Sequence, residues 1–275
     1  MTATAAAASK ERSSKLLSLF TLGAMPSKAM RGGLQVASLL LPLLLWAAIA
    51  SLGLVDEKFL PSPQAVFRSL AAMAESGILF QDIVASTGRV FGGFLLATLL
   101  AVPIGICMGV YPAICALCEP LIAMLRYMPA AAFIPLLIIY LGIGEEPKIA
   151  LIFIGTVYFN ILMVMDAVKF VPKELIETTL TLGGKSRQLL VQVVARYSLP
   201  SIIDTLRINI ATSWNLVVVA ELVAAEVGLG KRIQLAQRFF RTDQIFAELI
   251  VLGLIGFAID MGFRLLLRLS CKWAI

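Results

Sequence analysis

Long uncharged apolar runs alternate along this chain with short charged segments. Residues 32–55, between Arg31 and Asp56, carry no charge, and neither do residues 90–118, between Arg89 and Glu119. A helix needs about 20 apolar residues, at about 1.5 Å of rise each, to cross the hydrocarbon of a bilayer. Both runs therefore predict spans. The run 127–144 is shorter and is interrupted by Pro129 and Pro135, and 149–165 follows between Lys148 and Asp166. Two later runs complete the pattern. One covers about 201–225, with Arg207 and Glu221 near its ends, and the other 245–268, with Asp260, Arg264 and Arg268 in its second half. The pattern predicts an all-α protein with six transmembrane helices. Runs of this length exclude a barrel, whose strands are alternating segments of about 10 residues.

Two segments between the runs carry structure of their own. In 56–88, Leu60-Pro61-Ser62-Pro63 predicts a turn into a helix, with Ser62 as N-cap and Pro63 at the first helical position. Val66, Phe67, Leu70 and Met73 then recur at helical spacing, as in a helix lying at the membrane interface. In 169–198, Pro172 opens a short helix whose first turns hold Glu174 and Glu177, where acids complement the helix dipole. Leu175, Ile176, Leu180 and Leu182 give it an apolar side, and Gly183-Gly184 ends it. Ser186 is expected to cap a second helix and Pro200 to begin the fifth span. The pair reads equally as a docking element and as two helices resting on the bilayer.

Lys and Arg set orientation. Lys10, Arg12, Lys15, Lys28 and Arg31, the cluster from Lys169 to Arg207, and Arg264, Arg268 and Lys272 outnumber the positive residues of the alternate loops. Both termini are thus expected in the cytoplasm. Residues 1–32 read as a polar cytosolic tail and 33–275 as the membrane domain. The first apolar run starts too far along for a cleaved signal peptide and is expected to remain.

Composition agrees. Apolar residues make up 60% of the 275 and charged residues 15%, against about 45–50% and about 25% in soluble domains. There is no histidine, which removes His-dependent catalysis and His-ligated metal. Cys115 and Cys118 have C-x-x-C spacing, but Cys107 and Cys271 do not form a second pair with it. Gly184-Lys185-Ser186 imitates the end of a phosphate-binding loop. The motif also needs glycine where Thr179 stands, so nucleotide binding by this chain is not expected. No cofactor or metal is expected on the chain, and nothing in its pattern points to nucleic acid. Any ATP and Mg would belong to other subunits.

Glu177-Thr178-Thr179, three residues, then Gly183 resembles the E-A-A-x-x-x-G signature of ABC importer permeases. Thr178 and Thr179 replace its alanines. Val193 fits its isoleucine position, but Ala195-Arg196 replaces its Leu-Pro, which occurs instead at Leu199-Pro200. Other pieces are similar to the nitrate/sulfonate/taurine/bicarbonate branch: Leu60-Pro61-Ser62-Pro63, Gly88-Arg89-Val90-Phe91-Gly92-Gly93-Phe94, Arg126-Tyr127-Met128-Pro129, Gly142-Ile143-Gly144-Glu145, and Ala220-Glu221 before Gly228-Leu229-Gly230. The stretch from Glu221 to Asp243 looks most like nitrate/nitrite and bicarbonate permeases. The resemblance implies a type I importer fold in the inner membrane and a homodimer. It also implies ATPase subunits docked on the 169–198 loop and a substrate-binding protein or lipoprotein on the outer face. Nitrate or nitrite is the first expected solute, bicarbonate the second and sulfonates or taurine the third. A channel or gradient-driven carrier is the alternative class.

Candidate residues follow. Glu174, Glu177, Gly183 and Lys185 are placed at the coupling surface, where the glycine allows a sharp turn. Ionisable groups within a membrane face protein or water, so Arg126 and Arg207 are candidates for the translocation path or for structural locks. Asn160, Asn215 and Tyr140 are candidate hydrogen-bonding groups of the path or between helices. Lys231, Arg232, Arg238 and Arg241 are expected to form an outer basic rim that concentrates anions or contacts lipid or the binding protein.

Overall fold

The computed structural model describes residues 27–273. Most of the expected 1–32 tail lies outside the described residues. The described part is helical. It divides into two compact units between Pro63 and Gln64.

In the first unit, α1 (Lys28–Ser51) begins at Ser27, whose Oγ accepts the Met30 N–H at 3.3 Å. Its leucines stand exposed, Leu39 at 72% and Leu44 at 62%, as suits a helix solvated by lipid tails. The Trp46 Nε1–H donates to the Pro61 carbonyl at 3.0 Å and ties the following loop back to the helix.

Helix α2 (Pro63–Glu75) starts on the last residue of the first unit, as the Ser62-Pro63 pair predicts, and from Gln64 on belongs to the second. Then come α3 (Ile78–Val110), α4 (Pro112–Arg126), a 3-10 turn Ala130–Phe133, α5 (Ile134–Leu141), α6 (Glu146–Lys169) and α7 (Lys173–Thr181). A continuous helix, α8, starts at Ser186–Gln188, passes through a π-helical stretch Leu189–Val194 and runs on as Ala195–Ala224. The chain closes with α9 (Leu229–Arg238) and α10 (Thr242–Ser270).

Four sequence expectations are corrected. The second span is not 90–118 but α3, which starts at Ile78 and takes in Asp82 and Arg89. Their charge hid the helix because both side chains are buried among partners. The third span is not one rod. Helices α4 and α5 meet at Tyr127-Met128-Pro129 with an 83° bend, since proline removes a helical N–H and restricts the residue before it. Pro200 does not begin the fifth span but lies inside α8. Its cap shifts as well: the Lys185 N–H donates to Gln188 Oε1 at 2.9 Å, so Lys185, not Ser186, is the cap position.

Helix α3 packs in parallel along α6. The two come close because small residues recur every four along α3: Gly93, Ala97, Ala101, Gly105 and Gly109. A β-carbon on Gly105 would lie 2.8 Å from the Ile161 carbonyl oxygen and from Val164 Cβ. Parallel neighbours require the chain to return between them, and the broken α4–α5 pair does so. Cys115 on α4 touches Met165 low on α6, and Ala130 lies against Gly155. Ile134 on α5 shares a small pocket with Leu151 higher up α6. Helix α8 runs antiparallel to α6, joined by Thr156 Oγ1–Ser213 Oγ at 3.0 Å and Asn209 Nδ2–Asn160 Oδ1 at 2.8 Å. Among the described residues, five helices are individually long and apolar enough to cross a bilayer, and the bent pair makes six. The core between α3, α6 and α8 holds Val90, Phe94, Ile152, Val164, Leu206 and Val217.

Candidate functional site

The two ends of the second unit differ. One end carries the α7–α8 hairpin. Helix α7 ends in three turn bonds, Leu182 N–H to Thr178 O, Gly183 N–H to Leu180 O and Gly184 N–H to Thr179 O, at 2.9–3.0 Å. Gly183 sits at φ +80, where a side chain would be strained. Ile176 packs against the cluster of Val168, Val171, Leu189 and Val194, which seats the hairpin. The rest of the expected apolar side faces out: Leu180 is 53% and Leu182 82% exposed. Glu174, Glu177 and Lys185 are exposed beside them. The hairpin therefore offers acids, a lysine and bare leucines on one protruding turn.

The opposite end holds a buried ionic network that the gaps between charges concealed. Asp82, Ser86 and Arg89 recur at i, i+4 and i+7 on one face of α3, a signal legible only once the helix is extended back to residue 78. Glu221 on α8 is fully buried. It accepts from Ser86 Oγ at 2.7 Å, Arg89 Nη1 at 2.6 Å and the Gly230 N–H at 2.8 Å. Asp82 accepts the Gly228 N–H at 2.8 Å and Arg232 Nε at 2.8 Å. Ser86 Oγ accepts the Leu229 N–H at 2.9 Å, and Arg89 Nη1 also donates to the Val227 carbonyl at 2.7 Å. The free N–H groups at the start of α9 are thus met by side chains of α3 and α8, with acids at the positive end of its dipole. Gly228, at φ +139, is needed there, because a β-carbon would lie 2.6 Å from the Glu221 carboxylate oxygens. Glu248 on α10 is also fully buried beside this network, and neither of its carboxylate oxygens accepts a hydrogen bond.

Arg89 reaches outward as well. Its Nε and Nη2 donate to the two oxygens of Glu145, and Lys148 Nζ adds a third bond to Glu145 Oε1 at 2.8 Å. Arg89 and Lys148 are each about 5% exposed, whereas Glu145 is 54% exposed. Together with Glu226 and Val227 they line an open cleft of about 360 Å³. The Arg89 guanidinium, then Lys148, hold the Glu145 carboxyl down at about 2, outweighing the opposite pull of partial burial. A carboxyl depressed on folding adds stability above its ordinary value of 4.5, and that stability drains away as pH falls toward 2. Infrared titration of the purified protein, with Glu145→Gln to assign the band, is expected to place its protonation midpoint near 2. A midpoint near 4.5 would remove the clamp.

The structure scatters the remaining sequence candidates. Arg126, at the end of α4, stacks on Tyr127 with its guanidinium carbon 5.0 Å from the ring centre. Tyr140 on α5 is 77% exposed. Asn160 is fully buried between α6 and α8, with its Nδ2 unpartnered. Arg207 is ion-paired to Asp204 at 2.9 Å and to Asp260 at 2.8 Å, and Asp260 also holds Arg264 at 2.7 Å, linking α8 to α10. Asn215 stands two turns further along α8. Arg207, Asn215 and Trp214 share a cleft of about 300 Å³ with Gly256 and Asp260. The four basic residues expected on a rim differ in their partners. Arg232 is drawn into the network by Asp82, Lys231 bonds Gln234 at 3.2 Å, and Arg241 faces Asp243 at 3.8 Å. Arg238 is exposed.

Comparison with known proteins places these features in a family. Residues 101–270 match the model of the binding-protein-dependent transport system inner membrane component. An ABC transporter permease protein of Methanocaldococcus jannaschii is 37% identical over 84% of this chain and 88% of its own. The taurine transport system permease of Escherichia coli is 34% identical over 87% of this chain and 89% of its own. An aliphatic sulfonates transport permease of Bacillus subtilis is 32% identical, covering 86% of each chain. Among solved structures, the inward-facing MetNI methionine ABC transporter aligns with a TM-score of 0.62 at 18% identity, over 70% of this chain and 95% of that chain. The chain belongs to the binding-protein-dependent transport permeases. It is a multi-pass inner-membrane permease subunit of an ABC importer, with the type I importer fold.

Proposed function

We propose that this permease carries a small sulfonate, taurine or a short alkanesulfonate, inward across the membrane. The observation that carries the reading is near full-length similarity to taurine and aliphatic sulfonate permeases. It favours sulfonates over the nitrate or bicarbonate that the motifs alone suggest. In this reading two copies pair, a binding protein delivers the solute, and ATPase subunits that hold ATP and Mg dock on the hairpin. The path runs along the α8 face that carries Arg207 and Asn215, with Arg126 and Tyr140 at the broken α4–α5 pair. The bend there frees backbone groups that can meet an oxyanion.

The hairpin supplies the coupling. Glu177 is an exposed acid on a helix seated by Ile176, and it can pair with a cation of the ATPase. Glu177→Arg is expected to leave the protein in the membrane while lowering solute-driven ATP hydrolysis about tenfold or more, since a lost charge pair becomes a like-charge contact. Unchanged hydrolysis in proteoliposomes would remove Glu177 from the coupling surface. The same preparation, given its binding protein with taurine, methanesulfonate, nitrate or bicarbonate in turn, tests the solute. Stimulation by nitrate or bicarbonate in place of the sulfonates would overturn the reading.

A further inference from the structure

We infer that Arg89 and Lys148 form a binding site for a sulfonate group, and that Glu145 occupies it as a removable internal stand-in. This deepens the proposed function and rests on its reading of the cargo as a sulfonate.

Three donors converge on one point at the floor of the 360 Å³ cleft: Arg89 Nε, Arg89 Nη2 and Lys148 Nζ. Both cations are nearly fully buried, and among the described residues Lys148 pairs with Glu145 alone. Burying an ammonium is tolerable only while an anion faces it. Arg89 keeps Glu221 on its Nη1 whatever happens at Nε and Nη2. Removal of Glu145 therefore leaves one uncompensated positive charge, on Lys148, and three unfilled donors. The carboxylate fits this cradle imperfectly. Its Oε1 takes both Arg89 Nη2 and Lys148 Nζ, while Oε2 takes Arg89 Nε. A sulfonate has three oxygens, one for each donor, and the same single charge.

The carboxylate is also built to leave. Glu145 is half exposed, whereas its partners are not. It ends a loop that begins at Gly142, whose φ of +81 suits glycine, and Gly144 adjoins it. Swinging out moves a charged side chain into the open cleft rather than through the core. An arriving sulfonate then displaces Glu145 at no net change in buried charge, which makes the exchange selective for anions.

The test uses the purified permease–ATPase complex. Wild type is expected to gain in thermal midpoint in potassium methanesulfonate over potassium chloride at equal ionic strength only at concentrations well above those that act on Glu145→Gln, because the sulfonate must first displace the carboxylate, and no gain at any concentration would remove the exchange. Glu145→Gln is expected to melt several degrees lower and to regain that loss in millimolar methanesulfonate but not in chloride. Adding Lys148→Met is expected to weaken the methanesulfonate response about tenfold or more, because a charge-assisted hydrogen bond is lost. Should Glu145→Gln not assemble, Glu145→Asp keeps the charge, shortens the reach and is expected to show the same response at higher concentration. Equal rescue by chloride, no rescue, or rescue indifferent to Lys148→Met would overturn the site. These outcomes do not depend on transport. A complex that imports sulfonates without rescue loses only the site, and one that is rescued but imports another solute loses only the cargo.

Discussion

Replacing Arg89 by methionine is expected to destabilise the subunit by about 3–5 kcal/mol, the usual cost of breaking a buried ion pair from one side. Glu221 would keep Ser86 and the Gly230 N–H but lose its pairing with the guanidinium, at a site with no exposure to solvent. The Val227 carbonyl would lose its donor too, and the turn into α9 would loosen. Arg89→Lys is not a remedy, because one ammonium cannot reproduce a fork that serves Glu221, Val227 and Glu145 together. Arg89→Met combined with Glu221→Gln should recover part of the loss, since the amide keeps an acceptor without the charge. Thermal midpoints of the four proteins in detergent close the cycle. A single Arg89→Met as stable as wild type would show that the network does not hold this end together.

Gly105→Leu is expected to be as damaging, by overpacking rather than by charge. The first carbon of any side chain there would meet the Ile161 carbonyl and Val164 Cβ at 2.8 Å. Both belong to the backbone or stem of α6 and cannot swing aside. Relief requires α3 and α6 to separate along the stripe of Gly93, Ala97, Ala101 and Gly109. Overpacking of a tight core commonly costs 1–3 kcal/mol, and an obstructing backbone puts this case at or above about 3 kcal/mol. Gly92→Ala, whose new carbon would lie 3.6 Å from the Ile149 side chain, should be tolerated. The comparison of membrane abundance and thermal midpoint between these two variants checks the parallel α3–α6 contact. Equal tolerance of both would contradict it.

The two predictions differ in what the sequence could have said about them. Small residues four apart are visible in the text of the chain, but they mark a contact only when the partner is known. The Arg89 network was harder to see. Asp82 and Arg89 look like loop charges because a charge normally ends an apolar run. Apart from Glu145, 56 residues from Arg89, their partners lie 132–150 residues away, at Glu221, Val227, Gly228 and Arg232. No local pattern links such distant positions. One member of the expected basic rim is hidden in the same way: Arg232 reads as a free surface cation until Asp82 is found beside it.

What the sequence determined by itself was set by solvent and local geometry. The apolar runs fixed the number of spans, though not all their bounds, because the bilayer has one thickness and lipid cannot satisfy a bare backbone. Pro129 and Gly183 fixed a break and a turn, because their allowed backbone angles are properties of single residues. The collinear motifs fixed the family. Tertiary structure alone decided that α3 and α6 pack directly against each other along a stripe of small residues and that Glu145 sits on two buried cations. Those are matters of distance between remote residues, and charge interactions within a low-dielectric fold depend on distance and burial that no reading along the chain supplies.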